Sequence, residues 1–137
     1  MDRGLVVLLL CSVNLRAAAE DLTVEVRHVT ANAGPVMVAI YDKAEDFPSP
    51  EKGLTGQVID ARADSAATTF HGLTAGRYAV AVYQDLNRNG KFDKNFLGLP
   101  TEPYGFSKDA RGSFGPPTFD AAAVDIPATS KAVVNLH

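Results

Sequence analysis

Hydrophobic and polar residues alternate along much of the chain from residue 22 onward. Leu22, Val24 and Val26 interleave with Thr23, Glu25 and Arg27, a period of two that turns one face of an extended strand to a core and the other to water. After the turn-forming "NAGP" at residues 32–35, Val36, Val38 and Ile40 repeat the pattern. Gln57–Ala63 and Thr68–Leu73 carry it more weakly, flanking the polar "ADSA". Arg77–Asp85 carries it most strongly, with Tyr78, Val80 and Val82 on one face and Ala79, Ala81 and Tyr83 on the other. Small residues on that second face imply close approach of something large, or a central strand covered on both sides. Ala122–Ile126 and Ala132–Leu136 add two more strands. Asp42–Gly53 and Glu102–Ala110 have room for a single helical turn, but no segment sustains a helical period over ten residues. About seven short strands separated by turns predict an all-β, single-domain, antiparallel two-sheet sandwich.

Two segments depart from this plan. "KAEDFPSPEKG", Lys43–Gly53, is a polar connection with two prolines. From Leu86 to Asp120 about 35 residues show no clean strand, a length uncommon in a compact domain unless the segment has a job or its own packing. It carries Phe92, Phe96, Leu97, Leu99, Tyr104, Phe106, Phe114 and Phe119, too many apolar side chains for a solvated linker. Folding back onto the sheet would bury most of them; a partly exposed aromatic platform is the alternative, with Tyr104, Phe106 and Phe114 as candidate ligand contacts. The glycines and prolines between Gly98 and Pro117 fix the path of the loop.

The first residues read as an export signal. Arg3 is followed by the short apolar run Leu5–Val13 and by Ala17-Ala18-Ala19, a small-residue site for signal peptidase. A run of nine residues is too short for a hydrocarbon core that needs about 20. "LLLC" resembles a lipobox, but Leu10 stands where lipoprotein processing wants Gly, Ala or Ser. Residues 1–19 are therefore expected to be cleaved, leaving 20–137 as one secreted or periplasmic domain of 137 − 19 = 118 residues. Its only cysteine, Cys11, leaves with the signal, so no disulfide or thiolate ligand is expected. Of the chain's 16 acidic and 13 basic residues, removing Asp2, Arg3 and Arg16 leaves 15 and 11, a net charge of −4. That mild excess, with scattered cations, argues against nucleic acid or an anionic membrane surface as partner, and no membrane insertion is expected after cleavage.

"DLNRNGKFD", residues 85–93, is the segment richest in candidate chemistry. Asp85, Asn87, Asn89 and Asp93 stand at positions one, three, five and nine, with the Lys91 carbonyl at seven and Gly90 at six. This spacing offers Ca2+ an oxygen cage up to the ninth position of a calcium loop. It departs at position twelve, where Phe96 replaces the bidentate glutamate, and Arg88, Lys91 and Lys94 oppose a divalent cation. Glu102, Asp109 or Asp42 would have to supply a further oxygen. The other reading is a metal-free turn: Asn-Gly favours φ > 0, and Asp85 or Asn87 caps the loop through side-chain hydrogen bonds. Both readings stand on sequence alone.

Other chemistry is thinner. His28, His71 and His137 share no metal-ligand spacing. There is no G-x-S-x-G and no glycine-rich phosphate loop. "GLTAGRYAVAVYQDLNRNGKFD", "NFLGLPTEPYGFS" and "GPPTFDAA" together resemble the exported bacterial proteins grouped as domain of unknown function 2141. The resemblance spans essentially the mature chain and implies an immunoglobulin-like or transthyretin-like sandwich, but no activity. The L-x-x-G-x-Y opening at Leu73, Gly76 and Tyr78 is also similar to surface domains of the collagen-adhesin B and carboxypeptidase regulatory types, a cue to fold only. The chain thus reads as a non-catalytic envelope binding or interaction module, its partner a glycan, a peptide or another envelope protein. The alternative is a small secreted hydrolase using carboxylates near the 85–119 loop, which would need a concave site with converging titratable groups.

Overall fold

The computed structural model describes residues 19–137, so the expected leader lies outside the described residues except for its final alanine. The alternating segments become β1 (Glu20–Arg27), β2 (Val36–Tyr41), β3 (Thr55–Ile59), β4 (Ser65–Leu73) and β5 (Gly76–Gln84). Three short strands follow: β6 (Tyr104–Phe106), β7 (Val124–Ile126) and β8 (Lys131–Asn135). One sheet has the order β4-β1-β8; the other has the order β3-β2-β5-β6, with β7 also pairing with β5. Their inner faces meet in a core that includes Leu22, Val24 and Val26 of β1, Val36, Val38 and Ile40 of β2, Tyr78, Val80 and Val82 of β5, and Val134 of β8. Each fully buried aliphatic side chain contributes about 1.5–3 kcal/mol of burial, so strict alternation on three strands suffices to choose which face turns inward.

Among the described residues the sandwich has eight strands rather than seven. The additional strand, β6, lies inside the stretch from 86 to 120 that shows no alternation. The pairing is antiparallel except between β1 and β8, which run parallel with Val24 opposite Ala132 and Val26 opposite Val134. After β7 pairs with β5, the chain crosses to the other sheet and lays β8 along the first strand. One side of the sandwich is then closed by backbone bonds: Tyr104 and His137 exchange N–H···O contacts of 3.3 and 3.0 Å. Gly105 is required there, because a Cβ would strike the Asn135 carbonyl oxygen.

The outer face of the larger sheet is covered as well. Tyr41 packs edge-on against Phe47 at 5.2 Å, and Phe47 meets Phe106 and Phe119 at 5.7 and 6.1 Å. A second run, Tyr83–Phe92–Tyr104–Phe106, continues at 5.1, 5.8 and 5.9 Å. This cover explains the small Ala79 and Ala81 of β5, and Ala79 is fully buried. The outer edge of β5 pairs with β7 at Gly76–Tyr78 and with β6 at Ala81–Tyr83. Between them the buried Ser107 hydroxyl accepts from Val80 N–H at 2.9 Å and donates to Ala122 O at 2.5 Å, bridging the break in the ladder.

The aromatic loop therefore divides. Phe92, Tyr104, Phe106 and Phe119 fold back onto the sheet, whereas Phe96, Leu97, Leu99 and Phe114 remain exposed. The two stretches with room for a helical turn each supply a 3-10 turn, at Pro50–Lys52 and Ser107–Asp109. A further turn, α1 (Phe119–Ala122), is capped by the Thr118 hydroxyl accepting from Ala121 N–H at 3.2 Å.

Candidate functional site

β5 ends at Gln84 and delivers Asp85, 2% exposed, to the mouth of the turn. The Asp85 carboxylate accepts N–H groups from Gly90 at 2.8 Å and from Asn89 at 3.3 Å. Gly90 has φ +74, the left-handed conformation that Asn-Gly turns favour. Asn87 donates to Asp93 Oδ2 at 2.6 Å, and Asn89 donates to both Asp93 oxygens at 2.8 Å. The Asn89 side-chain oxygen, Oδ1, in turn accepts from Lys91 N–H at 3.0 Å. The four side chains named by the one-three-five-nine spacing thus belong to one hydrogen-bonded loop, with Asp85 taking backbone N–H groups and Asn87 and Asn89 turned to Asp93. Lys91 contributes its backbone N–H to the network.

Glu102 joins this loop from 16 residues away. Its Oε2 accepts Leu86 N–H at 2.8 Å, its Oε1 accepts Asp93 N–H at 2.9 Å, and the residue is 7% exposed. One carboxylate therefore clasps both ends of the turn. Of the three extra oxygen sources considered from sequence, Glu102 is the one found in this hydrogen-bonded network. Burial is the main force raising its pKa; the Asp93 and Asp85 charges add to it, and the two N–H bonds oppose it. Asp93 moves the other way, its carboxylate held ionised chiefly by the Asn89 and Asn87 amides. The same three carboxylates, after burial, push the Tyr83 phenol up.

Gln84, fully buried, anchors the start of the loop. Its amide donates to Thr30 O and Gly34 O at 2.8 and 2.9 Å and accepts from Thr30 N–H at 2.9 Å. The alternation places Gln84 in a strand and assigns it no role. The signal was there: Gln84 continues the inward face set by Tyr78, Val80 and Val82, where a polar residue must find partners. Glu102 had a signal too, as the only acid between Asp93 and Asp109.

The aromatic candidates separate. Tyr104 and Phe106 wall a cavity of about 170 Å³ formed by β6, the chain end after β8 and the segment following Ser107. Asp109, Arg111, Asn135 and His137 complete its polar lining. Asn135 donates to Asp109 at 3.0 Å, and Arg111 Nη2 lies 2.8 Å from Nε2 and 3.1 Å from Nδ1 of His137. Phe114 is fully exposed and lies outside that lining. A second, more open hollow of about 260 Å³ is lined by Asn32, Asp60, Arg62 and Arg88 among others.

The three histidines stay apart: His28 sits in the turn after β1, His71 pairs with Asp21 at 3.1 Å, and His137 meets Arg111. Among the described residues no three His, Cys, Asp or Glu side chains are placed to hold one metal ion. The spacing at 85–93 relies on two carboxylates with amide and backbone oxygens, and so is not a cluster of that kind.

No curated protein and no solved structure matches the chain. Residues 24–134 match the family model described as "uncharacterized protein conserved in bacteria (DUF2141)", and with this cover of its length the chain belongs to that family.

Proposed function

We propose that this is an exported, non-catalytic binding module that takes a short acidic peptide or glycan segment in the cavity between β6 and the end of β8. The supporting observation is the composition of that 170 Å³ space: Tyr104 and Phe106 line it with Arg111 and His137, and its one carboxylate, Asp109, is already held by the Asn135 amide at 3.0 Å. Aromatic faces pack against sugar or aliphatic surface, and a guanidinium matches a carboxylate. The carboxyl pushed up in pKa, Glu102, lines neither cavity, and both its oxygens already accept backbone N–H groups. A general acid has to reach its substrate, and this separation supports binding rather than turnover.

The test is retention of acidic and neutral oligosaccharides and peptides on the immobilised chain 20–137. Binding of acidic probes should fall at least tenfold in Tyr104→Ala and in Arg111→Ala. Hydrolysis of a retained probe, abolished by Glu102→Gln, would overturn the non-catalytic reading.

A role for Ca2+ in ordering the 85–93 loop is part of the same proposal. It is favoured by the loop holding Asn87 and Asn89 against the Asp93 carboxylate, whose oxygens Ca2+ would take in place of the amide donors. Ca2+ would act by mass action on the folded state. A melt in millimolar Ca2+ should sit several degrees above one in chelator, and the difference should vanish in Asp85→Ala. Coincident wild-type melts would leave the loop as a self-capped turn.

A further inference from the structure

Between Asp93 and Thr101 the loop rises into a small hairpin. Thr101 N–H donates to Asp93 O at 3.0 Å, Lys94 and Pro100 form a bridge, and Asn95 N–H donates to Leu99 O at 2.8 Å. At its tip the Asn95 side-chain oxygen accepts Leu97 N–H at 2.9 Å and Leu99 N–H at 3.0 Å, while Gly98 N–H reaches Asn95 O at 2.9 Å. The tip is thus tied, and it carries Phe96, Leu97 and Leu99 at 96%, 69% and 57% exposure. Contiguous apolar side chains in water mark a surface that something covers.

We propose that the Asn95–Leu99 tip docks on a lipid surface bearing anionic headgroups. Three observations select that occupant. The tip closes a hairpin and leaves its apolar side chains exposed, and a bilayer takes up such a loop without a complementary groove. Four of its five backbone N–H groups, those of Asn95, Leu97, Gly98 and Leu99, are bonded within the tip, which lowers the cost of leaving water. The charge around it is also complementary. Lys91 and Lys94, in the stretch leading into the tip, are exposed; Arg88 is exposed too but turns to Ala33 O at 3.3 Å, while Asp85 and Glu102 are buried and the Asp93 oxygens are bonded to Asn87 and Asn89. Every exposed charged side chain between residues 85 and 102 is therefore a cation. Lys94 is two residues from Phe96, within about 7 Å along an extended arm, so its ammonium can stay at headgroup level while the rings and aliphatic groups enter the boundary. The tip is separate from the proposed ligand cavity and does not depend on it.

The chain contains no tryptophan, so Phe96→Trp supplies a single indole reporter at the tip. In chain 20–137 its emission should shift to the blue on adding vesicles of phosphatidylglycerol mixed with phosphatidylcholine, and far less with phosphatidylcholine alone. In that background Leu97→Ala should weaken partitioning by about tenfold, and Lys91→Gln with Lys94→Gln by about 25-fold, roughly fivefold per lysine. All four side chains are exposed, so the variants should melt with the parent. Emission unmoved at millimolar lipid overturns the proposal. An equal shift with neutral and anionic vesicles overturns the choice of surface. A shift produced by an added soluble protein, with vesicles inert, assigns the tip to a protein partner and overturns it too.

Discussion

Replacing Glu102 by alanine tests the loop architecture most directly. The substitution removes two N–H···carboxylate bonds, to Leu86 at 2.8 Å and to Asp93 at 2.9 Å, from a residue 7% exposed. Bonds to a charged acceptor are worth about 1.5–3 kcal/mol each, so the pair sets an upper range of about 3–6 kcal/mol. Part of this is already offset in the native state, because burial and the Asp93 and Asp85 charges disfavour the ionised carboxyl. A net loss of about 2–4 kcal/mol follows. With an unfolding entropy of about 2.1 cal/mol/K per residue, a 118-residue domain should lose about 8–16 °C in Tm. The assay is a circular-dichroism melt of chain 20–137 at pH 7. A fall below about 2 °C, the size of a neutral surface change, would refute the clasp.

Glu102→Gln adds a second arm with a definite sign. A carboxyl whose folded pKa lies above its unfolded value binds more protons in the native state. Its contribution to stability is then largest at low pH and declines as pH rises from the ordinary glutamate value through the raised one. The wild type should therefore lose ground to Glu102→Gln across that window. A gap that moved in favour of the wild type with rising pH would show that the N–H bonds outweigh burial, and would reverse the argument.

Gly90→Val should cost about 1–3 kcal/mol of backbone strain, since φ is +74 and a Cβ would meet nothing within 4 Å; Gly90→Asn should recover most of it, and an unchanged valine melt would remove Gly90 from the left-handed position. Gln84→Met keeps the shape but strands Thr30 N–H, Thr30 O and the buried Gly34 O, so the urea midpoint should fall by the equivalent of about 2–4 kcal/mol at unchanged slope. Asp93, its folded pKa lowered by Asn89 and Asn87, contributes stability above its unfolded pKa that is lost as pH falls through the folded value; Asp93→Asn should flatten this acid limb, and an identical acid profile would exclude the pairing.

The parts legible in the sequence are those whose cause is local. β1, β2 and β5 are readable because a single face is buried, and a period of two follows from strand geometry alone. The turn at 85–93 is readable because its bonds span six residues or fewer. β6 was not readable. Its three residues, Tyr104-Gly105-Phe106, carry no alternation beyond chance, and their glycine answers to the carbonyl of Asn135, a constraint set 30 residues later. The parallel match of β1 to β8 joins residues more than 100 apart in sequence, with nothing in either strand to announce it.

The same distinction explains why the aromatic loop divided. Phe92 lies between Lys91 and Asp93 and Phe96 between Asn95 and Leu97, and neither setting announces which ring folds back onto the sheet. Their fates differ because Glu102 reaches back to the amides of Leu86 and Asp93 and pins the base of the hairpin. Phe92 precedes that pin and lies against Tyr83; Phe96 follows it and is carried off the sheet by the arms that begin at Asp93. Charge behaves similarly. A net charge of −3 describes the chain, but the fold buries Asp85 and Glu102, binds the Asp93 oxygens internally, and leaves Lys91 and Lys94 exposed in the stretch leading into the apolar tip. The exposed charge of this loop is thus opposite in sign to that of the whole chain, because the loop uses its carboxylates to hold itself together.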